Sequence, residues 1–292
     1  MPALPSGWTP YAVTGDADGT VWTTLLKPAG LVRVAGDPEL EPLDGRPMLL
    51  AADRNTLWYT RSDDRIGRRD PSGTHTTFAT PAGSSPYGIA VAPDGTVWFT
   101  AAGSDRIGRL RGGTITMIDL PLSGARPAMI TTDRGGTPWA ALNGAEALAV
   151  VRPGDTVELV RLPEGSAPVG ITAAPDGVWF ADIARGLAGR VAPSGAIDEF
   201  RFPDPACRPH AIAPDPAGGC WVTLWGSTEL ARVTASGEIT RHRLPGAEPH
   251  GLWVCSDQVW VAMESGALVP VSRDVSGANA SATSVSSNAP AT

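Results

Sequence analysis

The chain has 292 residues, 34 of them Gly and 28 Pro, and a formal net charge of −7. That acidic balance excludes a phosphate-backbone binder, which needs a Lys/Arg surplus, so no nucleic-acid partner is expected. No stretch approaches the roughly 18 apolar residues that cross a bilayer, so no membrane is expected either.

Met1 to Trp8 contains neither a basic nor an apolar signal region, and a soluble, cytoplasmic protein is the expectation. From Pro10 onward two markers recur in step. Trp22, Trp58, Trp98, Trp139, Trp179, Trp221 and Trp260 are spaced 36, 40, 41, 40, 42 and 39 residues apart. A proline followed by one variable and then small or apolar residues precedes each, at Pro10, Pro47, Pro86, Pro127, Pro168, Pro209 and Pro249. A period near 40 residues overrides any element-by-element reading.

The unit from Ser85 to Leu122 shows the layout. Tyr87 to Ala92 reads as a short apolar strand, and Pro93-Asp94-Gly95 as turn chemistry. Thr96 to Thr100 is β-branched and aromatic, a second strand. Arg106 to Arg111 and Ile115 to Leu120 supply a third and a fourth. Four antiparallel strands per repeat, seven times over, predict an all-β, seven-bladed β-propeller. It is expected to occupy residues 1–273, with a closing strand drawn either from Pro2 to Ser6 or from residues after Ser272. The Ser/Ala-rich stretch 274–292 cannot bury a core and reads as a disordered tail.

Three cysteines, Cys207, Cys220 and Cys255, have no CxxC partner. Their odd number argues for reduced thiols rather than a disulfide framework. Cys220 and Cys255 fall in apolar strand-like runs and are expected to be buried.

The innermost strand of each blade begins at the Pro-X position, so the seven X residues should ring one mouth of the central channel. They are Tyr11, Met48, Tyr87, Ala128, Val169, His210 and His250. The chain has only four histidines, and two occupy equivalent slots in adjacent blades. A single histidine at such a place is as readily a satisfied core residue. The pair argues for a site because carboxylates join it. Glu248 precedes His250 by two residues, and a hairpin turning near Ser256-Asp257 should fold Glu264 back beside His250. Two converging carboxylates suit a hard cation such as Mg²⁺. Ring closure should bring Tyr11 against His250. Trp225, in the blade-6 slot that Glu264 fills in blade 7, should stand beside His210, where exposed aromatics suit a ligand.

At these residues the chain resembles the virginiamycin B (streptogramin B) lyase family, from Pro10 to about Val271. The Trp repeats and Asp105-Arg106-Ile107-Gly108-Arg109 are shared by many propellers. More specific are Arg208-Pro209-His210-Ala211-Ile212, Leu224-Trp225-Gly226, Glu248-Pro249-His250-Gly251 and Ala262-Met263-Glu264. The resemblance implies an antibiotic-resistance lyase that linearises a small cyclic depsipeptide, acting as a monomer by Mg²⁺-dependent β-elimination at a threonyl ester. It implies His250 as the general acid/base, His210 as a substrate contact, and Glu248 and Glu264 as metal ligands. Family members commonly carry Glu three residues after each blade Trp. Here Leu25, Arg61, Ala101, Leu142, Asp182 and Leu224 stand in those slots, a departure that bears on substrate fit. Two other readings compete. One is a metal-dependent lactone hydrolase of the gluconolactonase type, against which seven rather than six repeats count. The other is a non-catalytic ligand-binding propeller.

Overall fold

The structure is a computed structural model and describes residues 4–274; the expected tail lies, from residue 275 onward, outside the described residues. Seven antiparallel sheets follow one another along the chain, at 9–42, 47–79, 86–119, 127–161, 168–201, 209–243 and 249–272. Each is a meander whose strands pair in chain order. Six have four strands, and among the described residues the seventh has three. In the third blade the strands are Pro86–Val91, Val97–Ala101, Arg106–Arg111 and Thr114–Asp119, within one or two residues of the sequence reading. Among the described residues no helix is long and apolar enough to cross a membrane.

The repeated motif has a packing reason. Trp98 pairs across the ladder with Arg109, whose guanidinium lies 5.6 Å from the indole. The next pair is Phe99 with Gly108. A Cβ at Gly108 would sit 2.0 Å from the Phe99 ring, so only glycine lets that ring lie flat on the neighbouring strand. Phe180 over Gly189 repeats the arrangement two blades on. Trp179, Trp221, Phe99 and Phe180 are almost fully buried, and each contributes about 2–3 kcal/mol through area removed from water.

Inner strands are bulged just after their first residue, with register shifts between Pro209 and Ile212 and between Pro249 and Leu252. A bulge re-aims a side chain and leaves ladder groups unpaired. Four blades fill that gap with a threonine two residues after the Trp. Thr24, Thr60, Thr100 and Thr223 each accept the N–H that follows the X residue of their own blade. Each also donates to the X carbonyl of the next blade.

The wheel closes between blades 7 and 1. A Cβ on Gly251 would lie 2.7 Å from Ala12 Cα and 2.8 Å from the Tyr11 carbonyl oxygen. Leu4 and Trp8 pack on the cluster holding Val13, Ala262 and Leu268, so residues 4–8 cover this seam, and among the described residues no fourth strand pairs there; Pro2 and Ala3 lie outside the described residues. The thiols need one correction. Cys207 and Cys220 are buried, whereas Cys255 is half-buried. It sits at the hairpin turn just beyond Pro249–Val254, where its thiol donates to the Gln258 carbonyl at 3.3 Å.

Candidate active site

The inner strands Pro209–Pro214 and Pro249–Val254 start side by side at one end of the hub. Their second residues, His210 and His250, bring their rings to 4.2 Å between centroids at 53°. Tyr11 stacks on the other side of His250, 3.7 Å between centroids and 27° between planes. Its hydroxyl reaches across the mouth to the Tyr87 hydroxyl, 2.9 Å away. Four of the seven X residues thus form one cluster.

The carboxylates enter through the hairpin. The Glu264 N–H donates to the Glu248 carbonyl at 3.0 Å, and Glu264 Oε1 comes to 3.8 Å from His250 Nε2. Glu248 holds a left-handed backbone, φ 58°, a conformation shared by Arg208 at φ 50° in the preceding blade. This turn re-aims the chain just before Pro-X. Glu248 is exposed and Glu264 partly buried. The equivalent bond in blade 6, from the Trp225 N–H to the Arg208 carbonyl, is also 3.0 Å. Trp225 therefore occupies the blade-6 counterpart of Glu264. Among the described residues its ring contact is with the Arg208 guanidinium, 5.7 Å from the indole, rather than with His210. His210, His250, Tyr11 and Glu264 gather at the hub.

Burial governs the electrostatics. It lowers the His210 imidazole to about 4. Burial, and next the charge His210 would carry, hold His250 well below the ordinary histidine value. Both rings are neutral near pH 7. His210 Nδ1 has no hydrogen-bond partner among the described residues, whereas a backbone group of Tyr11 interacts with the His250 ring and partly opposes the effect of burial. Burial and then the neighbouring Glu248 charge raise Glu264 above the usual carboxylate range. Burial, and then Tyr87, push the Tyr11 phenol up, and Tyr87 is raised mainly by burial, so both hydroxyls stay protonated.

Glu248 and Glu264 repel each other with no Arg or Lys ion pair among the described residues. A hard divalent cation is the group that such a pair fits. Among the described residues no three His, Cys, Asp or Glu side chains gather for a metal. The pair therefore offers two protein ligands, and water or substrate oxygens would complete the shell.

Two features were not singled out from the sequence. Tyr87 was placed in the ring but not in the site, although its slot and its aromatic character both pointed there. The recurring Trp-x-Thr carries no signal in the sequence alone, because its value depends on the bulge. A cavity of about 400 Å³, lined by residues such as Asp53, Arg54, Asp133 and Arg134 and by no histidine, opens at the opposite end of the hub. Between the two ends the channel is apolar, lined by Leu49, Ile89, Met129, Ile171 and Leu252 among others. The paired imidazoles and the Glu264 carboxylate lie at the His210/His250 mouth.

A sequence profile of the virginiamycin B lyase family matches residues 3–271. A virginiamycin B lyase of Nocardia farcinica (strain IFM 10152) is 41% identical over 270 residues, covering 90% of this chain and 95% of that protein. A solved streptogramin B lyase superposes with a TM-score of 0.85 at 32% identity, covering 91% of this chain and 92% of that one. A catalytically inactive histidine-to-alanine variant of virginiamycin B lyase from Staphylococcus aureus, solved with quinupristin, superposes with a TM-score of 0.87 at 30% identity. It covers 92% of this chain and 97% of that one.

Proposed function

The chain belongs to the virginiamycin B lyase family and is a lyase, and on that premise we propose that it linearises streptogramin B-type cyclic depsipeptides by β-elimination at the threonyl ester, with Mg²⁺ as cofactor. The observation that carries this reading is one mouth of the hub where a neutral imidazole meets both a second imidazole and a carboxylate lacking a cationic partner.

His250 Nε2 is the base in this scheme. It takes the proton from the threonyl Cα, the released electron pair forms the Cα–Cβ double bond, and the Cβ–O ester bond breaks. The ring carboxyl leaves as a carboxylate with its electron pair. The product is linear, ends in dehydrobutyrine and gains no water. A carboxylate of pKa ~3.5 leaves without prior protonation. The burial that keeps His250 neutral and able to accept a proton also makes it a weaker base, so the site must favour the negative charge that develops on the substrate. Glu248 and Glu264 would hold the Mg²⁺, which when bound polarises the carbonyl beside the reacting Cα.

Tyr11, stacked on His250, keeps that ring in one orientation, and the protonated Tyr11 and Tyr87 hydroxyls offer donors to substrate oxygens. His210 lines the adjoining wall, and Trp225, beside Arg208, offers an aromatic face to the substrate. Action as a monomer is part of this proposal.

The test is incubation with a streptogramin B depsipeptide and Mg²⁺, followed by chromatography of the cyclic form. Its disappearance is expected with the wild-type protein, with EDTA blocking the reaction. His250→Ala should be inactive with an unchanged circular-dichroism spectrum. Full activity in His250→Ala would contradict the assignment of the base.

A further inference from the structure

Neighbouring blades meet at the X ring in different ways. Tyr11 to Met48, Met48 to Tyr87 and Tyr87 to Ala128 are bridged by the hydroxyls of Thr24, Thr60 and Thr100. The next two steps have Ala141 and Ala181 where the threonine would be, and the last, His250 to Tyr11, has Ala262. Two of these unbridged steps have a close backbone approach, as the bridged step from Tyr87 to Ala128 also does at Gly88. A Cβ on Gly170 would sit 2.3 Å from the His210 carbonyl oxygen, and one on Gly251 would sit 2.8 Å from that of Tyr11. Only one unbroken bridge remains, and it joins the two histidines.

That bridge is Thr223, which is fully buried. Its Oγ1 accepts the Ala211 N–H, which belongs to the peptide following His210, at 3.0 Å. The same hydroxyl donates to the His250 carbonyl at 2.9 Å. We propose that Thr223 is a positioning residue for the lyase reaction, one hydroxyl fixing the peptides that carry His210 and His250 and thereby the spacing of their imidazoles. His210 Nδ1 has no hydrogen-bond partner among the described residues, and the His250 ring meets only a backbone group of Tyr11 besides its stacking neighbours and Glu264. The side chains therefore depend on backbone placement and ring stacking for their orientation. Without the hydroxyl, a buried N–H and a buried C=O lose their partners, and the two inner strands must re-seat to find others. The displacement falls on the base and its neighbour, where misplacement by about 1 Å costs about a hundredfold in rate.

This inference rests on the lyase reading above, and its test separates the two. Alanine is the natural residue at the equivalent place in three blades, so Thr223→Ala is compatible with the fold, and Thr223→Val keeps the shape without the hydroxyl. Thr100→Ala is the matched control, because it removes the same bridge between Tyr87 and Ala128. Both alanine variants should lower the melting temperature alike. Thr223→Ala and Thr223→Val should reduce kcat on a streptogramin B depsipeptide by about tenfold or more, with KM changed less than about threefold. Thr100→Ala, whose bridge carries Tyr87 but neither histidine, should lower kcat by less than Thr223→Ala does, and Thr223→Ser should restore wild-type kcat.

A second readout needs no turnover. With four histidines in the chain, the imidazole ring-proton region of the NMR spectrum is sparse. Thr223→Ala should shift the His210 and His250 signals and leave those of His75 and His242 in place, while Thr100→Ala shifts none. Unmoved rings and unchanged kcat in Thr223→Ala would overturn the proposal, as would Thr100→Ala reproducing its effects. A wild-type protein inert towards the depsipeptide would count against the substrate reading instead, and the ring spectra would still decide the role of Thr223.

Discussion

Tyr11 and His250 stand 239 positions apart in the chain, yet their rings stack at 3.7 Å across the seam that closes the wheel. One contact thus links ring closure to the orientation of the base. Tyr11→Phe keeps the stack and loses the hydroxyl bond to Tyr87, so it should melt near the wild-type temperature with kcat reduced a few-fold. Tyr11→Ala removes the stack and leaves a void at the seam, lowering stability by about 3 kcal/mol and kcat by a larger factor. Thermal melts and steady-state rates on the two variants check this ordering.

Acid sensitivity should trace to the hub. Burial lowers the His210 imidazole from 6.5 to about 4 in the folded protein. Below about pH 6.5 the unfolded chain takes up a proton that the folded hub refuses. The stability tied to this group is complete above that pH and falls as pH drops towards 4, by up to about 3 kcal/mol. His210→Gln should therefore lose less melting temperature than wild type between pH 7 and pH 4.5. Parallel losses in the two proteins would show that His210 titrates normally.

The paired carboxylates give a prediction with opposite signs in two buffers. Glu264 is raised by its own burial and by Glu248, so without metal Glu264→Gln removes a cost and should match or exceed wild type in melting temperature. With millimolar Mg²⁺ the wild-type protein should gain stability, because a ligand that binds only the folded state raises its melting point. Glu264→Gln should gain little. Equal metal responses would remove Glu264 from the ligand set.

The Trp225 ring meets the Arg208 guanidinium and makes no ring contact with the base His250 among the described residues. Trp225→Ala should therefore raise KM for the depsipeptide by about tenfold and change kcat little, as loss of a contact made equally before and during reaction does. A fall in kcat at constant KM would place the indole in the transition state instead.

The propeller and most of its site could be read from the chain because each signal repeats. Seven Trp and Pro-X markers count the blades, and equivalent slots place His210 beside His250 before any coordinates are known. A hairpin through Ser256-Asp257 carries Glu264 back by simple antiparallel pairing, and the structure places it there. Features that depend on departures from regular geometry were not legible. The Thr223 bridge is needed only because a bulge after Pro209 frees the Ala211 N–H. Trp225 turns to Arg208 because its neighbour across the turn is a cation, which slot equivalence alone does not reveal. Cys255 sits in an apolar run but falls at the turn, where burial ends.

The central claim is elimination from a substrate held over His250. Its most direct test is mass spectrometry of the product formed from a streptogramin B depsipeptide with Mg²⁺ in water enriched in oxygen-18. The account predicts a linear product of unchanged mass, free of the heavy isotope, with a dehydrobutyrine end. A product heavier by one water and carrying the label would mean hydrolysis and contradict it.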